Sequence, residues 1–409
     1  MTLSTDIAIV GAGVIGMAIA ERLTAEGREV LLIDPNPPGS GASYGNAGTI
    51  ADYAVQPVGT PDVLKNLPSL LFDRDSPLAI RQAALPSLVP WLLRFARQSL
   101  PSAAQRNARA IAGLLSDAGS LWADLAERIG ATELIQHRGC LYIYEKKSDF
   151  DAAARDMDFR KSLGIAVERL GPAELQGLEP NLKPVLGGAA YFPKAMFLSD
   201  PVRMMAALNA AHRAQHLMHR VETIHRDGGD VILRGYGLDL RAKTAIIATG
   251  AHSRHLARQL GDRIPLDTER GYHVEWDMPE PLLSRPCCPT TRGFYLCPME
   301  GRLRVAGTVE LGGLHLPPSP HRVAKLIEGA RAMFPHLGEP SRSWMGFRPS
   351  LPDSLPVISA SSHGNDVIYA FGHGHIGLTL APVTAALVTD LVFRRPPRRD
   401  LSATRAGRF

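Results

Sequence analysis

Residues 6–34 read DIAIVGAGVIGMAIAERLTAEGREVLLID, and the reading of this stretch decides the fold. Ile7 to Val10 is a short apolar run of the kind a parallel sheet buries on both faces. Gly11, Gly13 and Gly16 follow in the spacing G-x-G-x-x-G. Ile15, Ile19 and Leu23 then recur at helical spacing until Gly27 stops the helix. A second apolar run, Val30 to Ile33, delivers Asp34. The three glycines supply a tight turn, close approach to a pyrophosphate, and close helix–strand packing. The helix N-terminus faces the phosphates, and an acid ending the second strand reaches a ribose hydroxyl. An acid at 34, where a basic residue would accommodate a 2′-phosphate, selects FAD or NAD over NADP.

Segments further along favour FAD. TAIIATGAHS (244–253) is another apolar strand, ending in Thr249 and Gly250 where the chain must turn tightly beneath a cofactor. Before it, HRVETIHRDGGDVILRG (219–235) reads as a small β-meander with its turn at DGGD. No second G-x-G-x-x-G marks an added NADH domain.

The 409 residues are 45% hydrophobic and 21% charged, ordinary for a globular protein of two domains or one large discontinuous one. The net charge of +5 is modest, and the basic residues are scattered except in the tail, which reads as a frayed, solvated end. No nucleic-acid partner is expected from such a distribution. Cys140, Cys287, Cys288 and Cys297 make neither a disulfide framework nor a metal-ligand spacing, which fits a reducing cytoplasm. No secretory leader is expected before the first strand, and no apolar run is long enough to span a bilayer. LPSLVPWLLRFARQSL (85–100) places Leu88, Trp91, Leu92 and Phe95 on one helical face with Arg94 and Arg97 alongside. Such a helix closes over a core more often than it lies on a membrane, and peripheral membrane contact stays open.

Five motifs in order along the chain carry a resemblance: GAGVIG, GSGASYGNAGTI (39–50), ATGA, WMGFRPSLPDSLPVI (344–358) and FGHGHIGLTLAP (371–382). Together they resemble the D-amino acid oxidase superfamily of flavoproteins, and within it the bacterial D-amino acid dehydrogenase branch. The resemblance implies an α/β fold with a Rossmann-type FAD-binding domain of the glutathione reductase kind. A second, α+β substrate domain on an antiparallel or mixed sheet would be interleaved with it. The expected division is 1–60, 195–265 and 342–395 for the FAD part, 61–194 and 266–341 for the substrate part, and 396–409 as a basic tail. Carried over by motif, Gly11, Gly13 and Gly16 hold the pyrophosphate and Asp34 the ribose. Ser43, Asn46 and Gly48 lie along the FAD, and Val221 offers its backbone to the adenine.

The same resemblance makes the FGHGHIG stretch the return to the flavin, opening a long C-terminal helix over 376–392. A helix N-terminus there carries partial positive charge where negative charge develops on hydride uptake. Gly372, Gly374 and Gly377 let the backbone approach a flat ring. His373 and His375, two residues apart, lack a recognisable third ligand, so a metal is not expected. His375 is favoured at the flavin or substrate, and either histidine can instead be packed.

The implied reaction is oxidation of an amine next to a carboxylate, with hydride passing from the α-carbon to flavin N5 and electrons going on to a quinone or carrier. The imino acid hydrolyses to a 2-oxo acid and ammonia, and no side-chain base is required if the amine binds neutral. Arg348 matches the family's R-P motif, and its guanidinium fork suits a carboxylate. Its alternative is a brace paired with Asp353. Tyr272 and Tyr295 are candidates for a second bond to that carboxylate, the other of the two being core. His273 points opposite to Tyr272 if that strand is regular. Glu310 is either an ammonium ligand or, more commonly, a surface or loop acid. No cysteine follows Cys297, so the FAD is expected to be non-covalent. Glycine, N-substituted glycines, opines and D-proline or its hydroxylated form are the alternative substrates, and a tRNA-modifying flavoprotein is the more distant one.

Overall fold

The computed structural model describes residues 3–65, 76 and 78–409. The chain opens with β1 (Leu3–Val10), α1 (Val14–Ala25) and β2 (Val30–Ile33), the strand–helix–strand unit expected from the glycine spacing. β1 pairs in parallel with β2 on one side and with β3 (Leu238–Ile247) on the other. Residues Thr223–Asp227 and Asp230–Gly235 form the expected meander against the first half of β3, and Gly364–Phe371 continues in parallel along its second half. Alternate residues of β1 feed different cores. Ile7 and Ile9 pack with the helical layer, whereas Ala8 and Val10 pack on the opposite face with Leu256, Leu266 and Tyr369. Both faces are covered, which is why the strand is a continuous apolar run rather than an alternating one.

A second, nine-stranded sheet is mostly antiparallel. Toward one edge β4 (Asp267–Asp277) lies between β6 (Arg302–Leu311) and the edge strand β7 (Arg342–Ser350), and β5 (Phe294–Met299) pairs with the far side of β6. Tyr272, Val274, Phe294 and Val305 turn one face of this sheet onto the helix Pro320–Met333. The other face looks toward the first sheet. β7 therefore belongs to the second sheet, although the expected division put 342–350 with the FAD part.

Two further expectations are corrected. The tail is not frayed: Ala406 is buried, Thr404 Oγ1 donates to Ile358 O at 3.1 Å, and Arg408 pairs with Asp353. The C-terminal helix begins at Ala381 rather than at 376. Pro382 in its first turn fits there because a proline needs no intrahelical donor at that point. Residues 374–376 make a separate 3₁₀ turn ahead of it. Among the described residues, no helix is long and apolar enough to cross a membrane.

Candidate functional site

A cavity of ≈ 870 Å³ runs from the end of β1 to the inner face of the second sheet. At its first end Gly11 has φ +109°, and a Cβ there would lie 2.4 Å from Ala248 O. Gly13 caps α1 and lies on the wall, while Gly16 is off the wall: a Cβ on it would be 1.8 Å from Gly11 O, so its part is helix–strand packing. Asp34 also reaches the wall, its carboxylate accepting from Ala12 N and Asn36 N at 2.9 Å each. Val221, Thr249 and Gly250 complete this end, with Thr249 Oγ1 2.9 Å from Ser253 Oγ. Arg220 and His252 lie on the same wall without any sequence signature to announce them.

The middle of the wall is the loop 43–48. Ser43 Oγ accepts from Val14 N, Asn46 Nδ2 donates to Ser43 O, and Asn46 Oδ1 accepts from Gly48 N at 2.8 Å. These side chains fold the loop as well as lining the cavity. The loop is gripped from behind by the fully buried Arg304, which donates to Tyr44 O at 3.0 Å and Asn46 O at 2.7 Å and is neutralised by Glu275. His273 lies 3.1 Å from Gly45 O and stacks on Trp344. Desolvation and the nearby Arg304 push this imidazole down to about 4, so it is neutral.

At the far end Arg348 Nη1 donates to Thr308 O at 2.9 Å, and the guanidinium lies over Gly271. Burial lowers its pKa from the usual value, while Glu269 nearby raises it. Among the described residues no carboxylate pairs with Arg348, and Asp353, its alternative partner, is engaged with Arg408 at 2.7 Å. His375 turns its open surface into the cavity, and desolvation with the neighbouring Arg348 holds it neutral, at about 4. Tyr295 is on the wall, its hydroxyl 2.9 Å from that of Tyr142, which no local motif marked. Burial keeps both phenols protonated.

Tyr272 and Glu310 depart from expectation. Tyr272 contributes to the wall, yet its hydroxyl donates to Glu310 Oε1 at 2.9 Å and accepts from Ser319 N. Glu310 is neither a ligand nor a surface acid: it is 3% exposed and locked to Arg270 at 2.8 Å. His273, not Tyr272, faces the loop 43–48. His373 is packed, 3.0 Å from Thr384 Oγ1, and burial alone holds it down at about 3. Gly374 and Gly377 lie on the wall, but Gly372 does not. With φ +83°, it makes a turn whose Cβ would strike Leu351 at 2.5 Å.

The wall is long enough and suitably built for a dinucleotide with a flat ring: a glycine cradle, a helix N-terminus and the Asp34 carboxylate stand at one end, and the Arg348 guanidinium at the other. None of the four buried cysteines is on the wall, and burial pushes the Cys140 thiol up to about 12. Among the described residues no group of three or more histidine, cysteine or acidic side chains is placed to hold a metal.

A family model described as FAD dependent oxidoreductase (DAO) matches residues 6–391. The chain is 34% identical over 422 residues to D-amino-acid oxidase of Bradyrhizobium diazoefficiens, covering 98% of each. It is 30% identical to D-amino acid dehydrogenase of Paramagnetospirillum magneticum, again over 98% of both. Among solved structures, glycine oxidase from Geobacillus kaustophilus superposes with a TM-score of 0.80 at 27% identity, over the whole of both chains.

Proposed function

The chain belongs to the FAD dependent oxidoreductase (DAO) family, and from that premise we propose that it oxidises D-amino acids to 2-oxo acids and ammonia. The chemistry FAD supplies when bound is two-electron oxidation of a C–H bond beside nitrogen. Gly11, Gly13, Asp34 and the loop 43–48 would hold its dinucleotide. The observation that carries the substrate reading is Arg348: a half-buried guanidinium on the cavity wall, bonded to one neutral carbonyl and left with N–H groups for a carboxylate. Tyr295 and Tyr142 add neutral hydroxyls at this end, and His375 adds a neutral ring that neither repels an amine nor holds a proton at pH 7.

The described wall carries two carboxylates, Asp34 and Glu222, both at the adenosine end. Glu269, the acid beside Arg348, is buried and off the wall, so no described carboxylate on the wall at this end can hold an ammonium, which supports reaction of the neutral amine without a side-chain base. The substrate's α-carbon loses hydride, its nitrogen loses a proton, and water then hydrolyses the imine. Electrons leave to a quinone or another acceptor, in the cytoplasm or at the inner face of its membrane. Glycine and N-substituted glycines are the second reading, supported by the likeness to glycine oxidase.

An anaerobic titration of the yellow holoenzyme separates the two. Bleaching by D-amino acids and not by L-amino acids or N-alkylglycines is expected. Bleaching by N-alkylglycines or glycine alone transfers the protein to the second reading, and no bleaching by any amine removes both.

A further inference from the structure

The seat of Arg348 is built from three adjacent strands, β7, β4 and β6. β7 supplies the side chain. On β6, Thr308 has φ +55°, a left-handed conformation that a β-branched residue rarely adopts. Its N–H still bonds Gly293 O at 2.9 Å, and its carbonyl turns to accept from Arg348 Nη1 at 2.9 Å. Thr308 Oγ1 is buried with no partner, so the side chain gains nothing that would explain the backbone. On β4 the pairing with β6 slips between Arg270 and Tyr272, a bulge centred on Gly271. Bulges of this kind re-aim side chains beside active sites.

Gly271 lies inside an eleven-residue strand, where a glycine weakens packing and marks close approach by another group. The approaching group is the guanidinium. A Cβ on Gly271 would lie 2.6 Å from Arg348 Cζ, 2.6 Å from Nη2 and 2.9 Å from Nε. The fork therefore rests flat on a bare backbone, with the Thr308 carbonyl bracing one corner.

We infer that Gly271 is a positioning residue for substrate binding: by lacking a side chain it sets the depth and plane at which Arg348 presents its N–H fork to the substrate carboxylate. The inference rests on the reading of Arg348 as the carboxylate clamp. The added methyl of an alanine meets the far end of a flexible side chain, so the fold can absorb it by moving the arginine. The cost then falls on the geometry of the bidentate contact, where a displacement of the order of 1 Å is costly.

The test uses the FAD-loaded protein and propionate, a carboxylate without an amine, followed through the absorption band of the bound cofactor. G271A is expected to raise the propionate Kd and the amino acid KM about tenfold, with kcat changed far less and FAD content unchanged. R348M is expected to abolish propionate binding, and G271A added to R348M to change nothing further. Unaltered propionate affinity in G271A, with R348M losing it, overturns the positioning role and leaves the clamp standing. Unaltered affinity in R348M overturns the clamp itself. If G271A alone fails to fold, recovery of the fold in G271A/R348M supports the inference, because the arginine is then the clashing group. Failure of that double variant as well overturns it.

Discussion

Asp353 and Arg408 close on each other at 2.7 Å, and with that bond the last turn of the chain is fastened beneath the segment that carries Arg348. Arg408 also donates to Leu355 O at 2.7 Å, so the guanidinium binds both the side chain and the backbone of the 353–355 turn. Asp353 is 4% exposed, which leaves it uncompensated if the arginine is removed. R408A is expected to lower stability by about 3 kcal/mol, the cost of stranding one partner of a buried pair. Thermal unfolding of the holoenzyme checks this. A midpoint unchanged by R408A, or by deletion of 402–409, would return the tail to the solvated end its composition suggests.

Gly11 offers a sharper test of cofactor binding than any charged residue on the wall. Its φ of +109° and the 2.4 Å that would separate an added methyl from Ala248 O are backbone constraints, so nothing flexible can yield. G11A is expected to purify with far less FAD than the parent protein. Absorbance of the purified protein against its peptide content reports the ratio. Full FAD occupancy in G11A would show that the β1–β3 edge can spread, and that the glycine spacing carries less of the cofactor site than its geometry suggests.

The contrast between those two sites shows what was legible in the sequence. The cradle is local: strand, three glycines, helix and acid lie within 29 consecutive residues, and each requirement has its own residue type. The far end is assembled by long-range pairing, and a sequence carries no mark of which strands will meet. Tyr142 reaches the wall only because its strand, Cys140–Tyr144, lies beside Cys287–Pro289, itself next to β5. Glu310 is buried because Arg270 and Tyr272, 40 and 38 residues earlier, converge on it. The alternation of Tyr272 and His273 was readable, but the face each takes was not, since the bulge at Gly271 and the core over β4 decide it. The C-terminal helix was legible as a helix, and its start moved because Gly374 and Gly377 serve the wall rather than the helix.

Three histidines set an acid limit on stability. His273 and His375 are held neutral at about 4 and His373 at about 3, each below the ordinary value of 6.5. The unfolded chain therefore binds protons at these positions below pH 6.5 while the folded chain does not. Stability from this source is fully present above pH 6.5 and falls as pH drops toward 4. The slope approaches about 1.4 kcal/mol per pH unit for each fully buried histidine, which covers His273 and His373 but not the open His375. H373N is expected to be less stable at pH 7.5 but to lose less of its stability between pH 6.5 and 4.5 than the parent. Melting curves across that range decide it, and parallel pH profiles for the two proteins would remove His373 from the account.

The last prediction concerns the helix α2 (Leu85–Gln98). Leu88, Trp91 and Phe95 are buried, with Trp91 and Phe95 stacked at 5.1 Å, so the apolar face seen in the sequence covers the core. The outward face is a different set: Val89 and Leu93, the latter 68% exposed, beside the exposed Arg94 and Arg97. Arg106 and Arg109 on the following helix, Pro101–Leu115, are exposed as well. No acidic residue occurs between Asp75 and Asp117, so these four cations stand in an acid-free segment with exposed apolar side chains among them. That combination matches an anionic lipid surface, where each arginine contributes about 1 kcal/mol and Leu93 can enter the headgroup region. The protein is expected to sediment with vesicles containing phosphatidylglycerol and not with phosphatidylcholine alone. R94E/R97E and raised salt should each abolish the association, while turnover with a soluble electron acceptor stays as it was. Equal binding to both vesicle types, or binding that survives charge reversal, would rule out this face as the contact. A dimer in solution that R94E/R97E dissociates would assign it to a second copy of the chain instead.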